Sequence, residues 1–512
     1  VAVIGASMVP MKGGYRIVNN LHSNGYKGPI YPVNPNYNEE DEICGFKFNK
    51  SILDVEGEVD LAVFYVNNRI VTNTLKDCVK KGVKAAIIQS AGFEEVGVEG
   101  LKLKDEIIAI TENFSKLHII GPNCMGISRI DGDYDDKKGG FFTGQFIMTN
   151  YKRGNVAIIT QSGFLNGGIA PLIFRQYPNL GFRYIVSIGN KMDLGENEIL
   201  EYILKDDTVN VIAIYLESFK DPRKFISLCK KAKQLPKKTI IVVKGGKTSQ
   251  GMKAASSHTG ALAEDERLID TIIKQAGVIQ ANNFLEMFQF MRTFSMMYKS
   301  GKKFPKKGNI ALVVGSGGMG TIMGDMAMKY GLKFPEFGEE SYKILKSVFP
   351  DWMPPNRFAL VDSWPTMEKA IMKAAGKENN NEKETTDKNT TNEKDTNPFS
   401  RMGFFGNVME VIQKAVLEEP KIEGMFTSMP GGPSGHEEKM ELVIPMLGRL
   451  VEYPKPVLFY SVMESEETLE MLRLCGKYNI PFFTRSEDAI KNFAILVQET
   501  KNKEKFSNTV QS

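Results

Sequence analysis

One phrase recurs along this chain: a short β-branched run, a turn rich in Gly, Ser or Asn, then a helix-length stretch with apolar residues at helical spacing. Val1-Ala-Val-Ile4 leads into Gly5-Ala-Ser7, Ile30-Tyr-Pro-Val33 into Asn34-Pro35, and Leu61-Ala-Val-Phe-Tyr-Val66 into Asn67. Lys84-Ala-Ala-Ile-Ile88 leads into Ser90-Ala-Gly92, and Leu117-His-Ile-Ile120 into Gly121-Pro-Asn123. Strands joined by helical crossovers pair in parallel, and a sheet covered by helices on both faces explains why the runs are continuously apolar instead of alternating. Such sheets bind ligands at the carboxyl ends of their strands, the edge on which every one of these turns sits.

The phrase repeats near Gly154, with Val156-Ala-Ile-Ile159 before Gln161-Ser-Gly163, Tyr184-Ile-Val-Ser-Ile188 before Gly189-Asn-Lys191, Val211-Ile-Ala-Ile-Tyr215 before Leu216-Glu217, and Ile240-Ile-Val-Val243 before Lys244-Gly-Gly246. A third series begins with Ile310-Ala-Leu-Val-Val314 and Gly315-Ser-Gly-Gly-Met-Gly320, and continues through Gly424-Met-Phe-Thr427, Val457-Leu-Phe-Tyr460 and Pro481-Phe-Phe483. The expected architecture is α/β: three doubly wound parallel-sheet domains in series, over residues 1–130, 150–300 and 307–500. The stretch from Lys377 to Asn397 has no strongly apolar residue and is expected to be a disordered surface loop.

At 512 residues, 42% apolar and 25% charged, the chain can bury several cores, and its length suits about three domains. Its net charge of +4, from 65 basic and 61 acidic residues, argues against a nucleic-acid or membrane partner. Cys44, Cys78, Cys124, Cys229 and Cys475 show no C-x-x-C spacing, which indicates neither a zinc site nor a disulfide framework and fits a reducing cytosol. No apolar run approaches the roughly 20 residues of a membrane span. Val1 is not an initiator methionine, so residues ahead of it, a targeting segment included, stay open.

The first turn, Gly5-Ala-Ser-Met-Val-Pro10, follows a strand as a dinucleotide loop would but lacks the full G-x-G-x-x-G spacing. An NAD site also wants an acid at the end of the second strand, where this chain has Asn34. Gly315–Gly320 has no Lys-Ser/Thr pair after it, so a phosphate-loop NTPase is not indicated. Of the four histidines, His22, His118 and His436 have no partners at ligand spacing. His258 lies in a run of small residues, Ala254-Ala-Ser-Ser-His258-Thr-Gly-Ala-Leu-Ala263, which reads as the opening of a helix carrying Leu268, Ile269, Ile272 and Ile273. Amides gathered at a helix start favour phosphate. An imidazole there can be a nucleophile toward phosphorus or an ordinary capping or packed residue.

Taken in order, Gly5-Ala-Ser7, Tyr31-Pro-Val-Asn34-Pro35, Ser90-Ala-Gly-Phe93, Gly121-Pro-Asn123, Gln161-Ser-Gly163, Gly189-Asn-Lys191, Tyr215-Leu-Glu217 and Ser257-His-Thr-Gly260 resemble the NDP-forming acyl-CoA synthetases. These are typified by ADP-forming acetyl-CoA synthetase and related to the succinyl-CoA synthetase α-subunit. The resemblance covers nearly the whole chain, and the third domain distinguishes it from the succinyl-CoA synthetase α-subunit, which ends after two.

The resemblance implies a CoA-binding Rossmann-like domain followed by two flavodoxin-like domains. It further implies the reversible reaction acyl-CoA + phosphate + NDP giving acid + CoA + NTP, through an acyl phosphate and a phosphohistidine at His258. By the same likeness Glu217 orients His258, and Ser162 and Gly163 hold phosphate. Gly5, Ser7, Asn34, Ser90, Ala91, Gly92, Pro122 and Asn123 line the path of CoA. No metal ligands and no permanently bound cofactor are expected in the chain; CoA, acyl-CoA and phosphate are substrates, and Mg-ADP or Mg-ATP belongs to a partner. No ATP-grasp portion is recognisable, so an ATP-grasp β-type subunit, in an α2β2 assembly, is the expected partner. Two departures stand out. Val66-Asn67-Asn68 lacks the proline usual there, and Phe164-Leu165-Asn166 replaces small residues beside the expected acyl pocket. The alternatives are a succinyl-CoA synthetase-like α-subunit, against which the third domain speaks, and a non-catalytic CoA-binding or regulatory protein of the same fold, which would need neither His258 nor Glu217.

Overall fold

The computed structural model describes residues 1–114, 116–136, 139–146, 149–259, 266–374, 398–428, 437–462 and 464–507. The stretch 377–397 and His436 lie outside the described residues. The chain divides into two compact units, residues 1–298 with 502–512, and residues 299–501.

The first unit contains two sheets. In the first, the strands run in the order Tyr31–Val33, Ala2–Ile4, Leu61–Phe64, Ala85–Ile88 and His118–Ile120, all parallel. Helices Gly13–Ser23, Asn68–Lys81 and Val98–Asn113 connect them. Side chains alternate between two cores: Ala2, Ile4, Ala62, Phe64 and Ile88 face one, Val3, Val63 and Ile87 the other. Burial on both faces is why each strand reads as an unbroken apolar run.

The second sheet is larger and mixed. Ile279–Gln280, Thr239–Lys244, Val211–Leu216, Arg153–Thr160 and Phe182–Ser187 are parallel neighbours. Its far edge is an antiparallel pair, Ile127–Ile130 with Gly140–Phe142. Ile127–Ile130 falls inside the span 1–130 drawn for the first domain, yet it pairs with Phe182–Ser187, Tyr184 opposite Arg129. A four-residue strand with mixed burial carries no mark of the sheet it will join.

The run around His258 also differs from expectation. The expected helix carrying Leu268, Ile269, Ile272 and Ile273 is present, but the residues up to Thr259 belong to an earlier one: Ser249–Thr259 is helical, and at its start Thr248 Oγ1 accepts from the Gly251 amide at 3.1 Å. Ala, Met, Lys and Gln favour a helix, and nothing in the small residues opposes it strongly. The next helix spans Glu266–Ala276, and the residues between lie outside the described ones.

In the second unit a five-stranded parallel sheet has the order Leu360–Asp362, Ile310–Val314, Gly424–Ser428, Val457–Tyr460 and Phe482–Phe483. Numbered along the sequence, these strands stand in the order 2-1-3-4-5, the flavodoxin-like order.

Candidate active site

At the carboxyl edge of the first sheet, Gly5 ends its strand in the left-handed region, φ +86°, and a Cβ there would stand 2.2 Å from the Tyr65 carbonyl oxygen. Only glycine fits. Asn34 Nδ2 donates to the Ala6 carbonyl at 2.8 Å, and its Oδ1 accepts from the Asn36 amide at 3.0 Å, so this side chain staples the first turn to the second strand end. Ser7 is buried, its hydroxyl 3.1 Å from the Tyr37 hydroxyl and accepting from the Val9 amide at 3.2 Å.

Further along the same edge, Ser90 Oγ donates to the Val66 carbonyl at 2.6 Å, and the Ser90 carbonyl accepts from the Asn123 amide at 2.9 Å. Gly121 precedes a cis Pro122, and Asn123 adopts φ +55°. The Gly92 amide donates to Glu95 Oε1 at 2.6 Å, and Glu95 Oε2 accepts from Asn190 Nδ2 at 3.1 Å. Asn190, on the turn Gly189–Lys191, also donates its amide to the Pro122 carbonyl at 2.9 Å.

The second sheet supplies the opposite wall. Gln161 and Ser162 leave the strand Arg153–Thr160, and helical residues begin at Gly163 before a π-helical turn over Leu165–Ile169. The Ser162 amide donates to Thr160 Oγ1 at 3.0 Å. Glu217, at the end of Val211–Leu216, accepts from the Tyr215 hydroxyl at 3.2 Å. Burial, then the Glu217 charge and hydrogen bond, push the Tyr215 phenol well above its ordinary value, so it stays a neutral donor.

These turns enclose a cavity of about 670 Å³ lined by Tyr65, Val66, Asn67, Gln89, Ser90, Ala91, Asn123, Cys124, Met125, Gln145, Gln161, Ser162, Gly163, Phe164 and Glu217. Of the residues singled out in the sequence, Ser90, Ala91, Asn123, Ser162, Gly163 and Glu217 line it; Gly92 and Pro122 are chain neighbours of the lining, and Gly5, Ser7 and Asn34 sit apart on the same strand-end edge. Cys124 is not a candidate nucleophile, since burial pushes its thiol up to about 12. His258 occupies the last turn of Ser249–Thr259, a helix that lies beside the turn Glu94–Val96; its side chain is outside the described part of the structure. Sequence reading passed over Gln161, Lys191, Tyr215 and Lys244 as individual residues. Their signal was position: each stands at or just past the end of a β-branched run.

Two domain families match within this unit: a CoA binding domain over residues 1–129 and a succinyl-CoA ligase like flavodoxin domain over 153–294. The acetate–CoA ligase (ADP-forming) II subunit alpha of Pyrococcus furiosus is 37% identical over 351 residues, 68% of this chain and 71% of that protein. The chain belongs to the NDP-forming acyl-CoA synthetase family. Another synthetase of this family, acetate–CoA ligase (ADP-forming) II of Archaeoglobus fulgidus, is 36% identical over 369 residues, covering 72% of this chain and 51% of that relative. The chain thus spans about half the length of that relative. In fold it is similar to a Ca. Korarchaeum cryptofilum dinucleotide-forming acetyl-coenzyme A synthetase 1, TM-score 0.78 at 24% identity, covering 99% of this chain and 97% of that one. This likeness in fold extends over all three parallel-sheet regions.

Among the described residues no helix is long and apolar enough to cross a membrane, and no three His, Cys, Asp or Glu side chains gather as a metal site.

Proposed function

We propose that this chain is the α-type portion of an ADP-forming acyl-CoA synthetase, interconverting acyl-CoA, phosphate and ADP with carboxylic acid, CoA and ATP. The observation that carries this reading is the composition of the cavity. Ser90, Ala91 and Asn123 come from the sheet of the CoA binding domain, and Gln161, Ser162, Gly163 and Glu217 from the ligase-like sheet, so a thioester reaching along one wall meets an anion site on the other.

In the first step a phosphate oxygen attacks the thioester carbonyl; the C–S bond breaks, the CoA thiolate leaves and takes up a proton, and an acyl phosphate remains. Because the Ser162 amide is engaged by Thr160, the phosphate falls to the Ser162 hydroxyl and to amides from Gly163 onward, at the positive end of the helix. In the second step an imidazole nitrogen of His258 attacks phosphorus, the bond to the acyl oxygen breaks, and the carboxylate departs. Glu217 accepts a hydrogen bond from the other ring nitrogen and stabilises the charge that develops. A phosphoramidate retains enough transfer potential to phosphorylate ADP, which a serine ester would not; that is why the carrier is His258 and neither Ser256 nor Ser257. Gly5, Ser7, Asn34 and Gly92 shape the CoA path, the first three by holding the strand-end turns in place.

The ADP-phosphorylating step belongs, in this reading, to an ATP-grasp β-type subunit carrying Mg-ADP, in an α2β2 assembly; two relatives, matched over 71% and 72% of their own length, are each named a subunit alpha. Cys44, Cys78, Cys124 and Cys229 are free thiols, in keeping with a cytoplasmic setting. With acyl-CoA and phosphate but no nucleotide, the chain should release at most one equivalent of CoA and then stop. Addition of the β-type subunit and ADP should make release catalytic. Continuous CoA release without phosphate would mean a thioesterase and would sink the reading.

A further inference from the structure

The segment Glu217–Ser218 has its backbone held by side chains from three other strand ends. Gln161 Oε1 accepts from the Glu217 amide at 2.6 Å and the Ser218 amide at 3.1 Å. Lys244 Nζ donates to the Glu217 carbonyl at 2.7 Å, and Lys191 Nζ to the Ser218 carbonyl at 2.6 Å. Lys191 is also paired with Glu196, N to O 3.1 Å, with side chains only 5% and 0% exposed. Glu196 Oε1 in turn accepts from the Lys220 amide at 2.7 Å, closing the loop from the other side of Ser218.

A buried ion pair contributes little to stability, because desolvation offsets the attraction. Lys191 moreover adopts φ +56°, a conformation unfavourable for a residue with a Cβ. An expensive side chain in a strained position points to something it must hold. What it holds is the carbonyl next to the proposed orienting carboxylate, while the neighbouring residue on its turn, Asn190, meets Pro122 and Glu95 on the opposite wall.

We propose that Lys191, with Glu196 as its counter-ion, is a positioning residue that fixes Glu217 at the cavity wall through Ser218, and so governs transfer of phosphate to the histidine but not formation of the acyl phosphate. This rests on the synthetase reading above. Arsenate separates the two steps: it replaces phosphate in the attack on the thioester, and the acyl arsenate hydrolyses to acid and arsenate without any histidine. Three proteins are compared, wild type, Lys191→Met and Lys191→Met/Glu196→Gln. In the double variant no charge is left buried alone, and the glutamine oxygen can still accept from Lys220.

The expected result is arsenate-dependent CoA release within about threefold of wild type in the double variant, a thermal midpoint recovered relative to the single variant, and a rate of histidine labelling from acyl-CoA and radioactive phosphate lowered at least tenfold. Recovery of labelling together with the midpoint would make the pair purely structural and overturn the proposal, as would an equal loss in both steps. Absence of arsenate-dependent CoA release in the wild type would instead defeat the synthetase reading, so the two failures are distinct.

Discussion

A strand-end residue in this fold either faces the ligand or holds the turn that does, and residue type alone does not say which. Gly5 was legible because a glycine directly after a β-branched run is where a backbone must turn, and its φ of +86° fits that demand. Asn34 and Ser7 are expected along the CoA path, and their polar atoms also hold the turns, engaging Ala6 and Asn36, and Tyr37 and Val9. Asn36 and Val9 are local turn partners, two residues away, but Ala6 and Tyr37 lie 28 and 30 residues off, set by the sheet order, which no local pattern encodes. The same distance hid Lys191 and Lys244, whose partners are backbone carbonyls after another strand. Gly5→Ala combines a forbidden φ with a contact 2.2 Å from a carbonyl oxygen. It should destabilise residues 1–298 by about 2–4 kcal/mol, read as a lower urea midpoint by circular dichroism.

At the scale of elements, the parallel strands were legible because burial on both faces writes them as continuous apolar runs. The hairpin Ile127–Ile130 with Gly140–Phe142 was not, because its identity comes from what it docks on. Asn20 on helix Gly13–Ser23 donates to the carbonyls of Gly144 at 2.8 Å and Phe146 at 2.7 Å, and Tyr151, 1% exposed, donates its hydroxyl to Asn24 Oδ1 at 2.7 Å. These bonds tie the segment after the hairpin to the end of a helix from the first sheet. Tyr151→Phe leaves the buried Asn24 oxygen without that donor and should cost about 1–2 kcal/mol with little change in packing. A loss below a few tenths of that would show that water replaces the hydroxyl. The helix ending at Thr259 was missed for another reason: small residues are compatible with helix and turn alike, so their composition did not decide between them.

For the whole molecule, the division at residue 299 has a measurable consequence. Both tryptophans, Trp352 and Trp364, lie in residues 299–501, so fluorescence follows that unit alone while circular dichroism follows both. CoA assigned to the first unit should raise the dichroism-detected midpoint, by about 2.7 kcal/mol of stability at a hundredfold excess over Kd, and leave the tryptophan-detected midpoint where it was. A shift of both together would mean a single cooperative unit. The central claim, a phosphate carrier at His258 loaded at the thioester cavity, has a more direct test. The chain is incubated with acyl-CoA and radioactive phosphate without nucleotide, then digested and the labelled peptide identified. The account predicts an acid-labile, alkali-stable label on the peptide containing His258, strongly reduced in Glu217→Gln and absent in His258→Ala; a label that persists in His258→Ala, or maps elsewhere, contradicts it.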